Sequence, residues 1–184
     1  MQGKVIQVNI SPGGVPKRAI PEGRLTAEGF VGDSWRHPEY HGGPMKAVLL
    51  VSMEVLDDLS TRGFPVFAGA TGENLTTEGM AYSELRIGDR LRVGDALLEI
   101  TRVRRPCATL SVYGDTIQAA IYDERVRAGD ATSPMWGRSG FYARVLEPGT
   151  VRPGDIISVE LSGEQEDPRE NVGIHQSIEE PQGA

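Results

Sequence analysis

The chain has 184 residues, 39% apolar and 24% charged, with a formal net charge of −7. At roughly 100–200 residues per domain this length predicts one domain, and the composition excludes a wholly disordered chain. The single cysteine, Cys107, excludes an internal disulfide framework and any cysteine-rich zinc or iron–sulfur centre.

Charge is spread unevenly. Residues 163–184 hold six acids against one base, Arg169, which is −5 of the −7 and leaves −2 for residues 1–162. The body therefore lacks the basic signature of a nucleic-acid binder. No apolar run approaches the roughly 18 residues of a membrane helix. The first eleven residues have one lysine and no long apolar stretch, so they do not read as a secretory signal. A cytoplasmic protein with no nucleic-acid or membrane partner is expected. Residues 1–162 form the predicted domain. Residues 163–184 are polar, acidic and proline-containing, and are expected to be a disordered tail.

In chain order, residues 4–10 (KVIQVNI) read as a strand. Residues 32–43 carry His37 and His41, four apart, which on a helix would share a face and could grip a metal. Pro38 and the pair Gly42-Gly43 argue instead for a loop. Paired glycines let backbone amides approach a ligand closely, and Lys46 adds a point charge for an anion. The segment suits an anion or a polar ligand; an ordinary glycine-rich loop explains it equally. Residues 47–52 (AVLLVS) are continuously apolar, as in a strand covered on both faces. Residues 52–62 read as a helix, with Ser52 as N-cap, a stripe of Val55, Leu56 and Leu59, and Gly63 as the stop.

Residues 69–79 (GATGENLTTEG) place small residues around Glu73-Asn74, and Asn74 offers both donors and an acceptor. A simple turn accounts for them as well. Gly-Asp pairs at 88–89, 94–95 and 154–155 signal turns or strand entries. Residues 96–103 (ALLEITRV) form a predicted strand that runs into Arg104-Arg105-Pro106-Cys107. Arg102, Arg104 and Arg105 lie within five residues of the cysteine. Positive charge favours thiolate over thiol, and thiolate is both nucleophile and metal ligand. Pro106 holds the cysteine at a strand exit. The alternatives are an inert small apolar cysteine and arginines aimed away by side-chain alternation. Residues 116–127 read as a helix, and 141–146 and 155–161 as strands. Many short strands punctuated by glycine and proline predict a mainly β fold, a barrel or sandwich with a few short helices.

Taken together, these segments resemble the MOSC domain, named for the C-terminal domain of molybdenum cofactor sulfurase. The matching pieces are Gly32-Asp33, His41-Gly42-Gly43 followed by Ala47-Val48, Gly72-Glu73-Asn74-Leu75, Ile87-Gly88-Asp89, Arg104-x-Pro106-Cys107, Gly140-x-Tyr142-x-Arg144-Val145-Leu146 running on to Pro148-Gly149, and Gly154-Asp155. They occur in the family's order over residues 3–160, and the single cysteine falls on the family's characteristic one. The resemblance implies a β-barrel-rich fold of the stand-alone bacterial type. It implies that Cys107 either ligates molybdenum of a pyranopterin cofactor or carries sulfur as a persulfide. His41, Gly42, Gly43, Lys46, Asn74 and Arg104 become cofactor-binding candidates. Thr109-Leu110 stands where members often have Lys-Leu, which is a departure. Some members carry an added electron-transfer domain; within these residues there is no room for one of ferredoxin type and no cysteines for its cluster.

Three readings follow. In the first, the chain is a molybdenum-cofactor oxidoreductase that reduces N-hydroxylated bases or related N–O compounds, fed by a separate electron-donor protein. His37 or His41 would then supply protons. In the second, Cys107 carries a persulfide received from a pyridoxal-phosphate cysteine desulfurase. The lysines Lys4, Lys17 and Lys46 suggest no pyridoxal phosphate site in this chain itself. In the third, the barrel is a non-catalytic module that binds a small anion, with Cys107 structural.

Overall fold

A computed structural model describes residues 1–35 and 42–160. His37, His41 and the segment 163–184 lie outside the described residues. The chain runs through β1 (Gln2–Ile10), β2 (Arg18–Ile20), β3 (Gly23–Thr26), β4 (Gly29–Phe30), β5 (Val48–Ser52), α1 (Met53–Thr61) and β6 (Leu75–Glu78). It continues through β7 (Arg90–Val93), β8 (Ala96–Val103), α2 (Ile117–Ile121), α3 (Glu124–Arg127), β9 (Phe141–Glu147), β10 (Gly149–Val151) and β11 (Ile156–Glu160).

Seven strands close a barrel in the ring order β1, β11, β7, β8, β9, β5, β6 and back to β1. Neighbours are antiparallel except β5 and β6. A ring with an odd number of strands needs at least one parallel pair, and a parallel pair needs a crossover. The passage through α1 supplies it. Strand β2 extends β1 at one end, and β10, β3 and β4 form a small separate sheet. The fold is mainly β with a few short helices, as the short punctuated runs predict.

Side-chain alternation divides the core in two. Val48 and Leu50 of β5 point into the barrel with Leu75, Leu98, Ile100 and Phe141. Leu49 and Val51 point the other way, into a second cluster with Val55, Leu56 and Leu59 of α1 and Ile117 and Ile121 of α2. Strand β5 is thus covered on both faces, which is why its sequence is unbroken apolar. Each such side chain contributes about 1.5–3 kcal/mol on burial.

Local chemistry sets the boundaries. Ser52 caps α1, its hydroxyl accepting from the Val55 amide at 3.2 Å. Two Gly-Asp turns share one geometry: Asp89 Oδ2 accepts from the Arg86 amide and Asp155 Oδ2 from the Arg152 amide, each at 2.7 Å. The single helix expected over residues 116–127 is instead two. Tyr122 is extended, and the Asp123 carboxylate accepts from the Val126 amide at 2.8 Å, so it caps a new helix rather than continuing the old one. Residues 69–79 are part turn and part strand, since β6 occupies Leu75–Glu78.

One irregularity matters for the site. In the β8–β9 ladder Ile100 faces Ala143, but Arg102, not Thr101, faces Tyr142. Regular alternation would put Arg102 on the face of Ile100, inside the barrel. The extra residue turns Arg102 onto the face of Tyr142, outside it.

Candidate functional site

Cys107 sits just past the end of β8. The Arg104 amide donates to the Gly140 carbonyl at 2.9 Å, tying this strand exit to the entry of β9. Gly140 has φ +91°, and a Cβ there would lie 2.4 Å from the Leu50 carbonyl oxygen, so the close approach requires glycine. Beyond Pro106, Cys107 opens a 3-10 turn over Ala108–Tyr113 and stays half-buried.

The cysteine lies on the wall between two clefts. The first is lined by Lys17, Trp35, Lys46, Asn74, Arg104, Arg105, Cys107 and Tyr142, among others. It encloses about 130 Å³ and opens to solvent. The second is lined by Arg102, Pro106, Ala108 and Gln118, and shares Lys46, Arg105, Cys107 and Tyr142 with the first. All three arginines next to Cys107 therefore border a cleft that includes it, and alternation does not scatter them.

A buried polar network supports the first cleft. Lys17 Nζ pairs with Asp33, both side chains nearly inaccessible. Burial pushes the Lys17 ammonium below its ordinary value, opposed by the Asp33 charge. Asp33 also accepts from the Ser11 amide at 2.9 Å and from Asn74 Nδ2 at 2.8 Å. Asn74 Oδ1 accepts from the Leu49 amide at 3.1 Å, and Nδ2 also reaches the Asn9 carbonyl at 3.3 Å. Asn74 lines the cleft, but its donors are committed to the scaffold.

Glu73 is fully buried and accepts from the Gly69 amide, the Thr71 amide and hydroxyl, and the Thr76 hydroxyl. This fixes Thr71, whose carbonyl accepts from Arg104 Nη2 at 2.7 Å. Arg104 Nη1 is buried with no hydrogen-bond partner. A buried guanidinium half satisfied by protein points to a missing acceptor. Tyr142 lies beside it. Burial raises its phenol above the ordinary value, and the Arg104 and Arg102 charges oppose that rise.

The expected site residues are brought together unequally. Cys107, Lys46, Asn74 and Arg104 meet at the first cleft. Gly42 and Gly43 do not line either cleft; Gly42 packs on Trp35, and a Cβ there would come within 2.5 Å of its ring. Trp35, which does line the cleft, stands in the same quoted segment. His41, like His37, is outside the described residues. Lys17, Thr71, Tyr142 and Gln118 were not singled out by sequence. Tyr142 and Thr71 lie inside segments read as candidates, but Lys17 and Gln118 carried no local signal.

This chain is similar to several known proteins. It is 31% identical over 144 residues to the uncharacterised protein YflK of Bacillus subtilis, a match covering 77% of the chain and 60% of YflK. It is 31% identical over 142 residues to YiiM of Escherichia coli, covering 73% of the chain and 58% of YiiM. It thus spans under two thirds of the length of either relative. The crystal structure of E. coli YiiM matches with a TM-score of 0.63 at 25% identity, over 89% of this chain and 71% of that one. A protein named reductase from Gibberella moniliformis is 32% identical over 139 residues, 73% of the chain but 23% of that protein. A family model for the MOSC domain matches residues 37–158, and with these likenesses it shows that the chain belongs to the MOSC domain family.

Proposed function

We propose that the chain binds the molybdenum cofactor in the first cleft, with Cys107 as metal ligand, and reduces N-hydroxylated bases or related N–O compounds. MOSC domains as a family are associated with this cofactor. The residues present fit it. Cys107 supplies one soft thiolate donor at the cleft wall. Arg104 and Lys46 suit the cofactor's phosphate, Arg104 through its unpartnered Nη1. The observation that carries the reading is the buried, unpartnered Nη1 of Arg104 beside the same cleft.

When bound, the cofactor supplies a metal centre that exchanges electrons in pairs. Reducing an N–OH group to N–H takes two electrons and two protons and releases water. The electrons come from a separate electron-donor protein. Tyr142, kept protonated by its burial and bordering both clefts with Cys107, is placed to give a hydrogen bond or a proton to the departing oxygen. The likeness to a protein named reductase supports the reaction class.

The test is metal and pterin analysis of protein made in a host that synthesises the cofactor, beside Cys107→Ser. Near one molybdenum per wild-type chain, lost in the variant, is expected. Absence from both, with a known molybdoenzyme loaded in the same host, overturns the proposal. Cyanide-releasable sulfur on molybdenum-free protein would make it a sulfur carrier instead, with a desulfurase as donor.

A further inference from the structure

We propose that the second cleft is an anion subsite for the substrate, and that the substrate is a phosphorylated N–O compound, a nucleotide rather than a free base. This deepens the reductase reading and rests on it.

The cleft is lined by Lys46, Arg102, Arg105 and Gln118, and among the described residues no carboxylate lines it. Residues 1–162 carry a net charge of only −2, so two arginines around one hollow depart from the average surface. Most of the other described arginines are neutralised by carboxylates, Arg18, Arg24, Arg86 and Arg104 being the exceptions. Among the described residues, Arg62, Arg90, Arg92, Arg125, Arg127, Arg138, Arg144 and Arg152 all make ion pairs. Arg102 and Arg105 make none. The backbone also departs from regularity to aim one of them. The extra residue in β8 turns Arg102 from the barrel interior to the face of Tyr142, at the mouth of the cleft.

Two guanidiniums favour planar, bidentate recognition of phosphate or carboxylate. A phosphate monoester carries about −1.5 to −2 at neutral pH, enough to balance them. A neutral base would leave them unpaired. Cys107 and Tyr142 border this same cleft, so an anionic group held by Arg102 and Arg105 tethers the rest of the molecule beside the thiol. Binding remote from the reacting group then orients it.

The test compares N4-hydroxycytidine with its 5′-monophosphate by calorimetric titration of the full, cofactor-loaded chain. The monophosphate is expected to bind about tenfold more tightly, with an advantage that shrinks as salt rises. Arg102→Gln should remove most of that advantage and Arg102→Lys should keep part of it. Molybdenum content should not change in either, because Arg102 does not line the first cleft. Equal binding of the two ligands overturns the proposal, as does an advantage that survives Arg102→Gln. An Arg102→Gln variant that loses only turnover with a protein electron donor gives the cleft to an acidic protein surface, and also overturns it. The two readings fail separately. A chain that fails to load molybdenum yet keeps the phosphate advantage removes the reductase and leaves the subsite, whereas loaded protein without the advantage does the reverse.

Discussion

Arg104 Nη2 donates to the Thr71 carbonyl at 2.7 Å, joining the strand exit that carries Cys107 to the loop that enters β6. The same guanidinium leaves Nη1 buried and unpartnered. One side of Arg104 therefore belongs to the scaffold, and Nη1 donates to nothing in the protein. A purely structural arginine in so closed a place would have both nitrogens satisfied.

Replacing it should separate the two roles. Arg104→Met removes one hydrogen bond but also a desolvated charge and an unsatisfied donor. These effects offset, so folding stability should change by no more than about 1 kcal/mol. Molybdenum content should fall to background. Chemical denaturation and metal analysis of the same preparation check both. A stable variant that still loads metal would take Arg104 out of the cofactor site.

Glu73 should be the more costly position to alter. Its oxygens accept from two amides and two hydroxyls. Glu73→Gln turns one acceptor into an NH2 facing a backbone amide, of Gly69 or Thr71, that cannot accept from it. The expected loss is about 1–3 kcal/mol, read as a lower urea midpoint with an unchanged slope. A midpoint equal to wild type would show that these four hydrogen bonds do not hold the loop before β6.

Much of this was legible in sequence, for physical reasons that differ by element. Strand β5 announced itself because burial on both faces leaves no polar position. Helix α1 did so through Ser52, a cap that works locally. Strand β6 hid because its buried positions include Thr76 and Thr77, polar residues whose hydroxyls are satisfied by Asn9, Glu73 and Tyr82, so no apolar alternation marks it. Strands β2, β3, β4 and β10 have two to four residues each, too few to show a period. At the site, Cys107 and its arginines were visible, but their convergence depends on a bulge that no local pattern marks. Lys17 looked like any surface lysine until Asp33 folded against it.

That pair makes the next prediction. Lys17→Met strands the Asp33 carboxylate in a buried setting without its cation. Such half-pairs cost about 3–5 kcal/mol. Adding Asp33→Asn should recover part of the loss, because the neutral amide no longer needs a counter-charge while the Ser11 amide keeps an acceptor. Denaturation of the two single variants and the double variant gives the coupling directly. Additive losses would show that the pair is not coupled.

Acid should weaken the fold over a defined window. Hydrogen bonds from Thr132, then Arg125, hold the Asp130 carboxyl at about 2, below its ordinary 3.8. Arg138 lowers Asp58, the Val126 amide lowers Asp123, and Arg92 lowers Glu147. In the unfolded chain these groups take up protons first, so the unfolded state binds more protons between the two values. Their stabilisation is therefore complete above about pH 5 and is lost as pH falls through and below the ordinary carboxylate values, for Asp130 down to about 2. The melting temperature should drop across that interval, and Asp130→Asn should make the drop shallower while lowering the plateau above it. If wild type and variant fall in parallel, Asp130 contributes nothing to the acid response and the other three carboxylates carry it.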